Sequence, residues 1–406
     1  MPDSLYIHIP FCVRKCIYCD FFSVVYDEAT ARAYVDALCR ELDLKRDSAH
    51  TLRTVYIGGG TPSLLSDQCV RQIFQSLYRN FILSPSAEIT VEANPGTISE
   101  SGMATMRAVG VNRCSVGVQS LNDAELRILG RTHDHLDSLR SVELIKKSGF
   151  TNVSIDVMYA IPGQCMDSWR NTVASALALS PSHISAYELA PEKNTRLHAL
   201  LQAGREKNSL TSLRTGRKGN VSGQPVMPEE DVIVDMYDHV IDRFTEAGYV
   251  HYEISNFALP AFRSLHNLNY WDRGEYLCAG AGAHSFVSGI RAKNIPDIRQ
   301  YIAALNRGII PEIESLRIAP AVALKEYIFL GLRKTEGINM AKAEDLMAGL
   351  PESSLQAPLK RTLADAGREF VDEGYLQADR GNLRLTRKGI VLSSTIIVAL
   401  FDRLGL

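Results

Sequence analysis

The chain has 406 residues, 46% hydrophobic and 22% charged, with a formal net charge of −2. Such a composition supports a large core plus a smaller second domain, and the near-neutral charge excludes a general basic field for nucleic acid or an anionic membrane. No apolar run reaches the ~20 residues of a spanning helix. The first strand is expected by Leu5 with no room for a targeting segment. Eight cysteines in a chain of this length point to thiols and ligands in a reducing, cytoplasmic setting.

The apolar run 5–9 predicts a strand, and Cys12, Cys16 and Cys19 follow it within eight residues. Three soft thiolates on one loop can hold three corners of a four-iron cluster, or a zinc ion completed by water or His8. Spacing alone does not separate these metals. The scattered Cys39, Cys69, Cys114, Cys165 and Cys278 read as packing residues.

Strands and helices then alternate. A helix carrying Tyr34, Ala37, Leu38 and Leu42 on one face precedes a strand at 54–57. A second helix, capped by Ser66, buries Val70, Ile73, Phe74, Leu77 and Phe81. Strands follow at 88–93, 113–118, 153–159 and 183–189. Right-handed βαβ units of this kind build a parallel sheet. Six units are too few for a closed eight-stranded barrel, so an open partial (β/α)6 barrel is expected.

Ligands in such folds bind at the C-terminal strand ends. Those ends carry the cysteine loop, Gly58-Gly59-Gly60-Thr61-Pro62-Ser63, Glu92-Ala93-Asn94-Pro95, Gly117-Val118-Gln119-Ser120 with Arg131 beyond it, and Asp156. Glycines let backbone approach a ligand and expose N–H groups to carboxylate oxygens. An acidic residue at a strand end can bind ribose hydroxyls.

Beyond residue 191 the pattern weakens. Residues 204–224 are polar and basic, without an apolar pattern, and read as a solvated loop or partly disordered insert. A helix is predicted at 229–247 and one strand at 249–257. His266-Asn267-Leu268-Asn269-Tyr270-Trp271 sets a histidine among aromatics, which suits haem iron but also an ordinary core. His284 is a second histidine for that role. Helical runs at 324–333, 342–347 and 360–373, a hairpin over 375–385 and a last helix from Thr386 predict a small winged-helix-like α+β domain. That shape alone does not make a DNA-binding domain.

The cysteine loop, with Tyr18 just before its last cysteine, resembles the signature of the radical SAM enzymes. The strand-end motifs, with Tyr6-Ile7-His8-Ile9-Pro10-Phe11-Cys12 and Ile161-Pro162-Gly163-Gln164, resemble the oxygen-independent coproporphyrinogen III oxidase-like family over nearly the whole chain. This resemblance implies a [4Fe–4S] cluster on Cys12, Cys16 and Cys19. It implies S-adenosylmethionine (SAM) sites lined by Tyr6, Tyr18, Gly59, Gly60, Thr61, Glu92, Gln119, Arg131 and Asp156; whether one SAM or two are held stays open. His-Asn-x-x-Tyr-Trp resembles the haem motif of the family's haem-chaperone (HemW) branch, with His266 as ligand. Phe21 stands where the oxidase branch is expected to have a fourth cysteine.

The expected division is a radical SAM partial barrel at 1–190, a barrel extension with insert and haem motif at 191–310, and the C-terminal domain at 311–406. The expected function is transfer of haem to an acceptor protein, with an electron donor serving the cluster and no nucleic-acid or membrane-spanning partner. Propionate decarboxylation of coproporphyrinogen III is the alternative.

Overall fold

The computed structural model describes residues 2–203, 226–350 and 362–406. The polar stretch 204–224 lies outside them, as do residues 360 and 361 of the predicted helix at 360–373.

The first half of the chain folds as alternating units. They are β1 (Ser4–Ile9), the short parallel pair β2 (Phe11–Cys12) and β3 (Val24–Val25), α1 (Glu28–Leu44), β4 (Asp47–Gly59), α2 (Asp67–Asn80), β5 (Phe81–Ala93), α3 (Glu100–Ala108), β6 (Arg113–Gln119), α4 (Asp123–Leu129), α5 (His135–Lys147), β7 (Asn152–Tyr159), α6 (Met166–Ala178) and β8 (His183–Glu188). Residues near each helix start explain where it begins. Asp27, Ser66, Ser99, Asn122 and Asp134 each accept a backbone N–H of the first turn with their side chain, satisfying donors that the helix cannot. On α2 the buried side chains Cys69, Val70, Ile73, Phe74 and Leu77 recur at helical spacing and pack on the sheet.

The six strands β1, β4, β5, β6, β7 and β8 lie side by side and parallel. Three further strands extend the sheet. β11 (Leu277–Ala279) pairs parallel with β1, while β10 (Asn256–Ala258) and β9 (Val250–Glu253) add antiparallel beyond β8. The nine-stranded order β11-β1-β4-β5-β6-β7-β8-β10-β9 has β11 at one edge and β9 at the other, so the barrel stays open. The single strand expected at 249–257 is thus two strands of a tight hairpin. Cys39, Cys69, Cys114 and Cys278 are buried, but Cys165 is exposed just ahead of α6 and is not a packing residue.

A buried carboxylate fixes the return of the chain to β1. Glu41 of α1 meets Lys45 at 2.7 Å and accepts hydrogen bonds from the Gly280 N–H (2.8 Å), the Tyr301 hydroxyl (2.5 Å) and Asn294 (2.7 Å). Gly280 follows β11 at φ +110°, and a Cβ there would stand 2.6 Å from the His8 carbonyl, so only glycine fits. Beyond it β12 (His284–Val287), β13 (Ile290–Asn294) and β14 (Glu312–Arg317) form an antiparallel sheet.

The C-terminal residues build a second core from Leu324, Ile328, Leu363, Leu376, Leu383, Ile397 and Leu400, with a three-stranded sheet of β15 (Ile338–Asn339), β16 (Leu376–Asp379) and β17 (Asn382–Leu385). The last helical stretch is two helices, Arg387–Val391 and Ser393–Leu404.

Candidate functional site

The C-terminal strand ends surround a cavity of ≈ 590 Å³. Cys12, Cys16 and Cys19 line it, each partly exposed. Tyr18, Gly59, Gly60 and Thr61 line it as well. So do Glu92, Gln119, Arg131 and Asp156, contributed by or just beyond three successive strands. Tyr6 and His266 do not.

Backbone geometry places the loop. The Gly60 N–H donates to the Ile9 carbonyl (2.8 Å) and the Thr61 N–H to the Phe11 carbonyl (2.7 Å), so the end of β4 is stitched to the strand that delivers Cys12. A Cβ on Gly60 would stand 2.6 Å from the Phe11 oxygen, a close approach that requires glycine. Thr61 also directs its hydroxyl at the Cys12 sulfur, 3.8 Å away.

Arg131 is the clamp of the site. Its Nη1 donates to the Cys16 sulfur at 3.4 Å, and its Nη2 to Asn94 Oδ1 (2.5 Å) and the Gly117 carbonyl (2.7 Å). Asn94 in turn donates to Thr61 (2.7 Å). One guanidinium thereby ties the cysteine loop to the ends of three strands. Gln119 closes β6 at φ +66°, a left-handed backbone that a glutamine adopts only at a cost.

Deeper in, Glu92 accepts from the Tyr56 hydroxyl (2.6 Å) and the Gly59 N–H (2.9 Å). Burial raises its carboxyl above the usual range. Asp156 is pushed up to about 6, first by burial and then by Glu92; it accepts a long bond from Ser115 (3.4 Å). Tyr56, Asn94, Arg113, Ser115 and Ser185 also line the cavity. Sequence reasoning assigned none of them a role. Asn94 stood inside a quoted motif. Tyr56 and Arg113 follow from the two-residue alternation that turns them to the polar side of their strands.

Tyr6 lies behind the cavity wall, its hydroxyl bonded to His8 Nδ1 (3.0 Å) and its ring stacked on Tyr56. His266 differs from its expected role in a more consequential way. It sits in the short helix Leu265–Trp271, buried, with Nδ1 on the Thr54 hydroxyl (2.8 Å) and Nε2 on the Tyr270 hydroxyl (2.9 Å). Its ring stacks on Tyr56 at 5.1 Å. Both nitrogens are committed, so this conformation offers no open ligand to an iron. Burial, followed by the Arg113 charge, lowers its pKa to about 3, which keeps it neutral. Glu88 caps this helix, accepting the N–H groups of Leu265 and His266 at 3.1 Å each.

Among the described residues no three His, Cys, Asp or Glu side chains converge on one metal-sized point. A cubane takes three thiolates on three separate corners, and three cysteines on one loop, facing the cavity and with Arg131 on Cys16, can supply them.

Residues 6–176 match the radical SAM superfamily, and residues 318–392 match the HemN C-terminal domain. The superfamily implies a [4Fe–4S] cluster and SAM, which fit the donor set just described. Coproporphyrinogen III oxidase (HemN) from Escherichia coli, a radical SAM enzyme, has the same fold, with a TM-score of 0.77 over 98% of this chain and 90% of that one at 22% identity. The heme chaperone HemW of Lactococcus lactis is 36% identical over 97% of this chain and 96% of its own length. That of Bacillus subtilis is 30% identical over 99% and 100%. With similarity running from end to end in both directions, the chain belongs to the HemW family of radical SAM proteins.

Proposed function

We propose that this chain is a haem chaperone: it binds haem, holds a [4Fe–4S] cluster on Cys12, Cys16 and Cys19 with SAM beside it, and passes haem to an acceptor protein in the cytoplasm. The observation that carries the reading is the end-to-end similarity to heme chaperones HemW, at up to 36% identity. Phe21 stands where the oxidase branch is expected to have a fourth cysteine, which favours this reading over propionate decarboxylation.

When bound, the cluster supplies one-electron chemistry to SAM, fed by a reductant protein. This chain's residues hold and orient the ligands. Arg131 fixes the loop through Cys16, Asn94 and Gly117. Gly59, Gly60, Thr61, Glu92, Gln119, Asp156 and Tyr18 would line the SAM site, the N–H groups of Gly59, Gly60 and Thr61 being already engaged by Glu92, Ile9 and Phe11.

His266 remains the proposed iron ligand, on the condition that the Leu265–Trp271 helix opens. Its link to the cavity is direct: Glu92 holds the Tyr56 hydroxyl, and the Tyr56 ring lies on the imidazole. Occupancy of the SAM site therefore bears on whether His266 is released.

The test is haem titration of the anaerobically reconstituted protein beside a His266→Ala variant, read by absorption spectroscopy. Stoichiometric binding that the variant loses supports the reading. Equal, weak binding by both removes His266 from it, and conversion of coproporphyrinogen III by the wild type replaces it with the oxidase.

A further inference from the structure

Arg113 is the first residue of β6 and is 1% exposed, yet it lines the cavity. Its Nε has no hydrogen-bond partner. Among the described residues no carboxylate, hydroxyl or carbonyl accepts from any of its nitrogens at hydrogen-bonding distance. A guanidinium carries five N–H donors in a rigid fork, and buried donors left without acceptors are costly.

The acids around it are engaged elsewhere. Glu88 takes two N–H groups of the Leu265–Trp271 helix, Glu92 takes Tyr56 and Gly59, and Asp156 takes Ser115. They balance the charge of Arg113 without meeting its donors. What the fork lacks is a pair of acceptor oxygens, and only the cavity side can supply them.

Position narrows the ligand. Arg113 precedes Gln119 by six residues, roughly 20 Å of strand, and Gln119 marks the level of the cysteine loop. Even with its side chain extended, Arg113 serves the deep end of the cavity. Thr90 of β5 is its register partner, two residues below Glu92. A carboxylate held at the cluster cannot also reach this arginine.

We propose that Arg113 is the receptor for a carboxylate at the deep end of the cavity, belonging to a ligand other than the SAM held at the cluster. Two carboxylates share this chemistry: a tetrapyrrole propionate and the methionyl carboxylate of a further SAM. The two-oxygen, planar geometry of either matches the guanidinium fork. The propionate version rests on the haem-chaperone reading; the methionyl version does not.

The experiment compares acid and ester forms of one probe on the same reconstituted protein with SAM bound. Haem and haem dimethyl ester are titrated into wild type and Arg113→Gln. In a second arm, SAM and decarboxylated SAM are titrated into SAM-free protein at ratios above one per chain. A buried charge pair of this kind predicts a wild-type preference for the acid of on the order of 30-fold or more, falling towards one in Arg113→Gln. A response in the haem arm alone identifies a propionate, and one in the SAM arm alone a methionyl carboxylate. A ratio near one in wild type for both probes overturns the proposal, whether or not the variant folds. So does a ratio that survives in Arg113→Gln, because another cation then holds the carboxylate. Haem that binds tightly in both acid and ester forms, with no preference for SAM over decarboxylated SAM in the second arm, overturns the receptor while leaving the haem-chaperone reading intact.

Discussion

Two side chains carry sharp expectations at the scale of a residue. His266 is satisfied on both nitrogens, so any haem ligation through it begins with loss of the Nε2 bond to Tyr270. Tyr270→Phe removes that partner and leaves the ring packed. It is expected to accelerate haem binding several-fold in stopped-flow absorption, since a hydrogen bond of about 1 kcal/mol no longer opposes release. A slower rate in the variant would mean that Tyr270 guides haem instead of holding the histidine back. Asp156 gives a pH signature. Its folded-state pKa of about 6 lies above the ordinary carboxylate value, so the unfolded chain ionises first as pH rises. The stability it contributes is full below about pH 4 and is lost as pH climbs through 6. In ligand-free protein, Asp156→Asn should therefore raise the melting temperature at pH 7.5, by up to ~3 kcal/mol of stability, and leave it unchanged at pH 4. Calorimetry at the two pH values checks this.

At the scale of elements, the junction between β1, β2 and the end of β4 is the most exacting feature of the site. Two backbone hydrogen bonds and a glycine approach hold Cys12 in place. Gly60→Ala drives a methyl group against the backbone atoms of Ile9 and Phe11, which cannot swing away. The overpacking costs about 1–3 kcal/mol and displaces the first cysteine. Cluster absorbance after anaerobic reconstitution should fall well below wild type although the protein remains folded by circular dichroism. Full cluster content in the variant would show that the loop adjusts independently of β4.

The same scale shows what was legible in the sequence. The six parallel strands were, because each is a clear apolar run flanked by helices with capping residues. Strand direction placed the strand-end motifs on one side of the sheet, and the family resemblance completed the set of candidate residues; eleven of them line one cavity. Other features were not legible. β11 is three residues long and finds its place through Glu41, Lys45, Gly280 and the edge of β1. The hairpin of β9 and β10 turns at Ile254-Ser255, without the glycine or proline that announces a turn. A histidine's spacing to its aromatic neighbours said nothing of which hydroxyls its nitrogens would meet. Arg113 read as one more strand residue, since only the folded sheet reveals that a buried cation lacks an acceptor.

At the scale of the whole molecule, two hydrophobic cores meet at Ile390, which packs against both. Arg387, three residues before it, reaches Asp238 at 2.7 Å and also pairs with Asp242, and elsewhere Lys334 pairs with Asp272 and Glu336. The Arg387 pairs are about half exposed and contribute little, ~0.2–1 kcal/mol each, so the apolar contact dominates. Ile390→Asp places a charge between the cores. It should split thermal unfolding into two transitions and speed hydrogen exchange in helices Pro320–Gly331 and Ser393–Leu404. Cluster assembly in the barrel should be unaffected. A single transition at the wild-type temperature would show that the polar pairs suffice.

The position of β1 has a consequence during synthesis. It leaves the ribosome ahead of the other strands of its sheet, and one of its two sheet neighbours, β11, is made some 270 residues later. At about 5–20 residues per second, that neighbour arrives roughly ten seconds to a minute after the cysteines have emerged. Through this interval the strand leading into the cysteine loop has a bare hydrogen-bonding edge, and the metal-binding thiols stand beside an unfinished wall. Cluster delivery is therefore best timed after translation passes β11, and a nascent chain stalled before that point should be both sticky and poor at accepting iron.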